Sequence, residues 1–154
     1  MRAFTASELV GKIWARDASL WTSSGEEKWL CLLDAPERSH AQAREILSFA
    51  ERALEGVENV LLLGMGGSSL APEVMRLAFC STTFHVLDST HPSAVLRLAS
   101  ELDPSSTFFL VSSKSGSTIE TRSHLEYFWA LAGEHGERFC AVTDPGSDLE
   151  KLAR

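Results

Sequence analysis

The residues best suited to chemistry lie between positions 112 and 121, where hydroxyl side chains crowd around one lysine and one glycine. The hydroxyls can donate hydrogen bonds to the oxygens of an anion, Gly116 lets the backbone wrap around it, and Lys114 adds positive charge. A helix expected to begin near Thr118 would aim its positive end at the same point. The segment predicts a phosphate cradle built from Ser113, Lys114, Ser115, Gly116, Ser117 and Thr118.

A second loop suited to anions runs Gly64-Met-Gly-Gly-Ser-Ser69 and stands between an apolar run and a helical pattern. Glycines let the backbone approach a ligand closely, and the N–H groups at the start of a following helix attract negative charge. The alternative is a tight strand-to-helix turn in which Ser68 or Ser69 serves only as the helix cap.

Two other kinds of phosphate site fit these loops less well. Gly64 and Gly66 match the start of the dinucleotide motif G-x-G-x-x-G, and Asp88 stands where a ribose-binding acid would follow the second strand. However, Ser69 occupies the position of the third glycine, and Asp88 is also a common type of turn residue at the end of a strand. The 112–121 segment is not a P-loop, because its lysine precedes its glycine.

Some residues of the hydroxyl-rich segment also have a purely structural interpretation. Ser117 and Glu120 have the spacing of a capping box, in which both side chains bond to the first turn of a helix. Lys114 could equally be a solvated surface lysine.

The elements that must position these loops are short apolar runs alternating with amphipathic segments. The pattern predicts an α/β fold with a parallel sheet of at least four strands, helices on both faces in a three-layer flavodoxin-like arrangement, and two preceding helices. Strands are expected at about 60–63, 84–87, 107–111 and 138–142, and helices at about 5–20, 36–56, 70–80, 92–102, 118–133 and 147–153, the last capped by Ser147.

The domain organisation follows from the same pattern. Residues 1–56 are predicted to be a helical segment that packs on the sheet, and residues 57–154 to be the ligand-binding domain, truncated at its C-terminus. Ligands of such sheets bind at the carboxyl ends of the strands. Since both loops must reach one ligand, the first and third strands are expected to be neighbours.

Composition narrows the class of partner. The formal net charge of −7 argues against nucleic acid, which is bound largely through clustered Lys and Arg. The apolar runs are too short to span a membrane, and Met1 to Trp21 is too charged for a signal peptide. Three widely spaced cysteines, Cys31, Cys80 and Cys140, are expected to be reduced, small and buried in a cytoplasmic protein. We expect no metal and no cofactor.

The two loops together resemble the sugar isomerase (SIS) domains of the glucose-6-phosphate isomerase family. The resemblance rests on Gly64-Met-Gly-Gly-Ser-Ser-Leu-Ala-Pro72 after the first strand and Ser113-Lys-Ser-Gly-Ser-Thr-Ile-Glu-Thr121 after the third, and Val142-Thr-Asp-Pro-Gly-Ser147 also fits. It covers about Val57 to Leu152. More weakly, Ile13 to Trp21 and Ser69 resemble the isomerase part of bacterial transaldolase–isomerase fusion proteins.

The resemblance implies a hexose 6-phosphate substrate, interconverted between aldose and ketose through an enediol in glycolysis and gluconeogenesis. The hydroxyls of the cradle and the N–H groups from Lys114 to Ser117 would hold the phosphate, and Glu120 would orient the ring-opening group. The catalytic base would lie in a second SIS domain, and a histidine would come from the neighbouring subunit of a homodimer. Sugar contacts would come from Gly66, Gly67, Ser68 and Ser69.

Two further functions remain open for such a domain. SIS domains also serve as non-catalytic phosphosugar sensors in regulators, and as the isomerase half of the amidotransferase that makes glucosamine 6-phosphate. The identities of Lys114 and Glu120 favour the isomerase.

Overall fold

The computed structural model describes residues 5–22 and 24–154. The chain divides into two compact units, Met1–Phe49 and Ala50–Arg154. Among the described residues, no helix combines the length and the apolar character needed to cross a membrane.

The first unit is helical. Helix α1 (Ala6–Trp14) begins at a capping box formed by Thr5 and Glu8. The predicted continuation of this helix to Leu20 is wrong, because Arg16 adopts φ +54°, a left-handed conformation that ends an α-helix. Two short 3₁₀ helices, Ala18–Leu20 and Glu26–Asp34, lead into α2 (Ala35–Ala53), which crosses into the second unit.

The second unit alternates strands and helices as predicted. Its elements are β1 (Asn59–Gly64), α3 (Gly67–Ala78), β2 (Phe84–Leu87), α4 (Pro92–Glu101), β3 (Thr107–Ser112), α5 (Ile119–Leu131), a 3₁₀ turn (Gly136–Arg138), β4 (Phe139–Val142) and α6 (Asp148–Ala153). The four strands are all parallel, in the order β2-β1-β3-β4. The predicted α/β class and the predicted pairing of the first and third strands are both confirmed.

This strand order creates a point where the chain changes direction. From β1 the chain moves to one side, to β2, whereas the later connections move to the other side, to β3 and then β4. Right-handed crossovers therefore place α3 on one face of the sheet and α4 and α5 on the other. The loops after β1 and β3 diverge, and the crevice between them is where open α/β sheets bind ligands.

One face of the sheet carries the main hydrophobic core. Phe109 of β3 lies at its centre, with its ring stacked on Phe139 at 4.6 Å and tilted against Phe128 of α5 at 5.6 Å. The remaining buried core side chains come from the strands and from α4, α5 and α6: Leu61, Leu63, Leu87, Leu98, Leu102, Val111, Leu125, Ala132 and Leu149. This core fixes the strand ends from which the two loops project.

The cysteines differ from expectation in their burial. Cys31 and Cys80 are exposed and Cys140 is partly buried, whereas all three were expected to be small buried side chains. The three form no disulfide with one another.

Candidate phosphate-binding site

The two predicted loops start side by side. Gly64 at the end of β1 pairs with Ser112 at the end of β3. A side chain at position 64 would approach the carbonyl oxygens of Ser68 and Ser112 to 3.2 and 3.3 Å, so a glycine suits the close approach of the two loops. The structure thus brings together the two segments that the sequence singled out.

The cradle loop is organised around Ser113, which is 3% exposed. Its hydroxyl donates to Oγ1 of Thr118 at 3.2 Å and accepts from the N–H of Gly116, also at 3.2 Å. These bonds close the loop on itself and hold the start of α5 against the end of β3. Ser113 is therefore already engaged within the loop, and a phosphate would compete with Thr118 for its proton.

The outer rim of the loop consists of exposed hydroxyls. Ser115 and Ser117 are exposed, and their Oγ atoms lie 2.9 Å apart in a hydrogen bond. Lys114 is also exposed, and Thr118 is partly buried. The rim offers hydroxyl protons and a lysine charge to a ligand arriving from solvent.

The backbone amides of the loop differ in what they already bind. The N–H of Gly116 donates to Ser113, and the N–H of Ser117 donates to Oγ of Ser115 at 3.3 Å. The N–H of Ser115 donates to no residue in the part of the chain that the structure describes. Of these three amides, that of Ser115 is the one left to meet an anion.

The capping box predicted for Ser117 and Glu120 is wrong. Helix α5 begins at Ile119 with Thr118 in the cap position, and the Thr118 side chain makes no cap hydrogen bond. The reason lies in the loop, because the hydroxyl of Thr118 accepts from Ser113 and that of Ser117 pairs with Ser115. The partly buried Glu120 in the first turn of α5 thus does not bond back to a cap residue.

The glycine loop turns at Gly66, whose φ of +53° and ψ of −119° suit glycine and strain other residues. Gly66 takes the cap position of α3, so neither serine caps that helix. Gly66 and Gly67 are exposed and Ser68 is partly buried. Ser69 is 1% exposed and donates its hydroxyl to the carbonyl of Gly66 at 3.0 Å, which stabilises the turn.

The loop after β2 contributes structure at this edge. His91 caps α4, with its Nδ1 accepting from the N–H of Ser93 at 3.3 Å. Asp88 is an exposed residue directly after β2, consistent with a turn role.

Sequence reasoning missed a buried histidine behind the cradle. His124 on α5 is 3% exposed and lies one helical turn after Glu120. Burial lowers the pKa of its imidazole from the ordinary value of 6.5, while the backbone of Ser89 and the carboxylate of Glu120 oppose that shift. Its position on a helix with little amphipathic pattern provided no signal in the sequence.

The lowered pKa of His124 leads to a prediction of how the free energy of unfolding depends on pH. Because its folded pKa is depressed, the unfolded chain binds more protons from pH 6.5 down to the folded pKa, so the free energy of unfolding falls as the pH drops through that window. His124→Asn should reduce this slope in urea unfolding at pH 7 and pH 5. Burial also lowers the pKa of His85. Because His85 is present in both proteins, its contribution to the slope cancels in the comparison. A ring titration midpoint for His124 at or above 6.5, followed by NMR, would contradict the prediction.

The sequence of the loop after β4 fits the family resemblance without indicating a site residue, and the structure places this loop against the cradle. The carbonyl of Lys114 accepts from the N–H of Asp144 at 3.1 Å and from Oγ1 of Thr143 at 3.3 Å. The N–H of Ser113 donates to the carbonyl of Val142 at 3.1 Å. Ser147 caps α6 as expected.

Comparison with known proteins shows what the chain as a whole is similar to. No family model matches the chain. The chain is similar to a glucose-6-phosphate isomerase of Thermus thermophilus (41% identity; 73% of this chain and 28% of the relative). It is also similar to one of Desulfitobacterium hafniense (31%; 95% and 29%).

Solved structures give the same result. A hypothetical protein from Thermus thermophilus superimposes with a TM-score of 0.78 at 32% identity, covering 96% of this chain and 36% of that one. A glucose-6-phosphate isomerase from Chlamydia trachomatis gives 0.68 at 26% identity, covering 93% and 28%. The chain thus spans less than a third of the length of the curated relatives named here. Over the part of their length that it spans, this chain resembles the glucose-6-phosphate isomerases.

Proposed function

We propose that this chain binds the phosphate of a hexose 6-phosphate and forms the phosphosugar-binding part of a glucose-6-phosphate isomerase. The observation that carries the proposal is the closed loop from Ser113 to Thr118, whose exposed hydroxyls and Ser115 amide lie at the start of α5. Charge-assisted hydrogen bonds and the positive end of a thirteen-residue helix favour a phosphate there.

The glycine loop completes the site on the β1 side. Gly66 and Gly67 are exposed beside the cradle, so a sugar anchored by its phosphate can approach the backbone there. Ser68 is partly buried in the first turn of α3 and would contribute a hydroxyl, whereas Ser69 shapes the turn from within.

The relatives are named as isomerases of glucose 6-phosphate. The reaction we propose for the full-length protein is proton transfer between C1 and C2 of the bound sugar through an enediol. Glu120 is the acidic side chain of the cradle segment, and its freedom from the cap leaves its carboxylate available to orient the ring-opening group. We propose that the base lies in a second SIS domain and that a histidine comes from the partner of a homodimer. The enzyme would act in the cytoplasm, without metal or cofactor.

The test is the removal of two cradle hydroxyls. Ser115→Ala with Thr118→Ala should weaken glucose 6-phosphate binding by about 2–4 kcal/mol in total, since each hydrogen bond to a charged acceptor contributes about 1–2 kcal/mol. Isothermal titration calorimetry of the 154-residue chain measures the effect. Neither residue belongs to the hydrophobic core, so the fold should persist.

A matched control removes two exposed hydroxyls at the opposite edge of the sheet, in Thr82→Ala with Ser100→Ala. This variant should bind as the unsubstituted chain does. Equal affinities in the cradle variant and the control would show that Ser115 and Thr118 are not phosphate ligands.

A further inference from the structure

The β4–α6 loop holds one peptide group of the cradle in a fixed orientation. The carbonyl of Lys114 accepts two hydrogen bonds from that loop, from Asp144 N–H at 3.1 Å and Thr143 Oγ1 at 3.3 Å. The N–H of Ser115 belongs to the same peptide plane. In a trans peptide the C=O and N–H point in opposite directions, and the described chain contains no cis peptide. Fixing the carbonyl toward the β4–α6 loop therefore directs the Ser115 N–H away from it, out of the loop.

The hydrogen bonds behind Lys114 continue into α6. Oγ1 of Thr143 and Oγ of Ser147 lie 2.7 Å apart, and Ser147 accepts from the N–H of Glu150 at 3.0 Å. A hydroxyl has one proton, so when Thr143 gives its proton to the Lys114 carbonyl, Ser147 donates to Thr143. In that arrangement all the donors in this chain of bonds run in one direction, from α6 toward the cradle.

From this geometry we infer that Thr143 and Ser147 are positioning residues, which form a one-way hydrogen-bond relay that orients and polarises the Ser115 amide toward a bound phosphate. Each bond in such a chain strengthens the next, since an accepting group becomes a better donor. At the end of the relay, a carbonyl that accepts two hydrogen bonds makes its own peptide N–H more acidic. The inference rests on the proposed phosphate site, and neither side chain is required to touch the ligand.

The substitution that tests the relay is Thr143→Val, which keeps the shape of the side chain and removes its proton. Thr143→Ser keeps the hydroxyl and serves as the matched control. Titration with glucose 6-phosphate and with inorganic phosphate should show affinity about three- to tenfold weaker for Thr143→Val, the effect of one lost neutral hydrogen bond. Thr143→Ser should stay within about twofold of the unsubstituted chain.

A second readout separates positioning from a general loss of stability. In ¹H–¹⁵N spectra, phosphate should shift the Ser115 amide downfield in the unsubstituted chain and in Thr143→Ser, and much less in Thr143→Val. The carbonyl carbon signal of Lys114 should move upfield in Thr143→Val without ligand. Thermal unfolding of both variants shows whether the fold is intact. A loss of stability alone, in a chain that is still folded, would not move the Ser115 amide or the Lys114 carbonyl signal.

The outcomes distinguish the relay from the proposed function. If Ser115→Ala with Thr118→Ala weakens binding as expected while Thr143→Val leaves both the affinity and the Ser115 shift unchanged, the relay is overturned and the phosphate site stands. If the cradle variant binds as well as the unsubstituted chain, the phosphate site is overturned, and the relay inference, which depends on that site, is overturned with it. Weakened binding in Thr143→Val, rescued in Thr143→Ser with the Ser115 shift restored, supports both.

Discussion

Gly116→Ala should abolish measurable binding of sugar phosphates and cost the second unit about 2–5 kcal/mol of stability. Gly116 is buried at φ +70°, in the left-handed region that favours glycine. A Cβ there would lie 2.6 Å from the backbone nitrogen of Leu149 and 3.1 Å from Cβ of Ser147. Because these atoms belong to the first turn of α6 and its cap, the added carbon must displace either the helix or the cradle.

The displacement acts on binding as well as stability, because the N–H of Gly116 donates to Ser113 and thereby closes the cradle. Calorimetric titration with glucose 6-phosphate and urea unfolding measure the two effects. Gly133→Ala is the matched control, with the same φ of +70° but with its nearest contact 3.4 Å away, on the side chain of His135. It should lose only the roughly 1–2 kcal/mol of left-handed strain and keep its affinity. Similar behaviour of the two variants would mean that the packing of α6 behind the cradle does not matter.

The parallel sheet and the pairing of its first and third strands could be predicted from the pattern of elements and the position of the two loops. Short apolar runs separated by helical segments permit few parallel topologies, and the requirement that two anion-binding loops meet selects those with β1 beside β3. The loops themselves were identifiable because glycines and clustered hydroxyls follow directly on apolar runs. Together these features predicted that the two loops meet at the carboxyl ends of β1 and β3, as the structure shows.

The hydrogen bonds inside the site could not be predicted, because several residues in a row offer the same chemistry. Ser115, Ser117 and Thr118 can each cap a helix, and the bond from Ser113 to Thr118 decides which of them holds that position. The contact of Thr143 with Lys114 joins residues 29 positions apart and involves a backbone carbonyl, which carries no sequence signal. The break after α1 likewise depends on the left-handed backbone of Arg16, a residue type that gives no turn signal.

The 154-residue chain should bind glucose 6-phosphate without converting it to fructose 6-phosphate. Phosphate contacts anchor the substrate away from the reacting carbons, and binding that is equal in the ground and transition states does not accelerate the chemical step. Proton transfer needs a base within hydrogen-bond reach of C1 and C2. Such a positioned base accelerates the reaction by a factor of about 10²–10⁴. Of the two loops that form the site, only the second carries a carboxylate, that of Glu120 in the first turn of α5.

That carboxylate is a poor base for this transfer because of where the helix places it. Glu120 follows directly on the proposed phosphate-binding residues and lies in the first turn of the helix whose positive end would face the anion. In the proposed site its carboxylate would therefore lie closer to the phosphate end of the sugar than a base that acts on C1 and C2. A coupled assay that follows fructose 6-phosphate should therefore show the same slow background for the chain and for Glu120→Gln, while calorimetry shows binding by both. Turnover by the unsubstituted chain that disappears in Glu120→Gln would make Glu120 the base and would place a complete catalytic site in this chain.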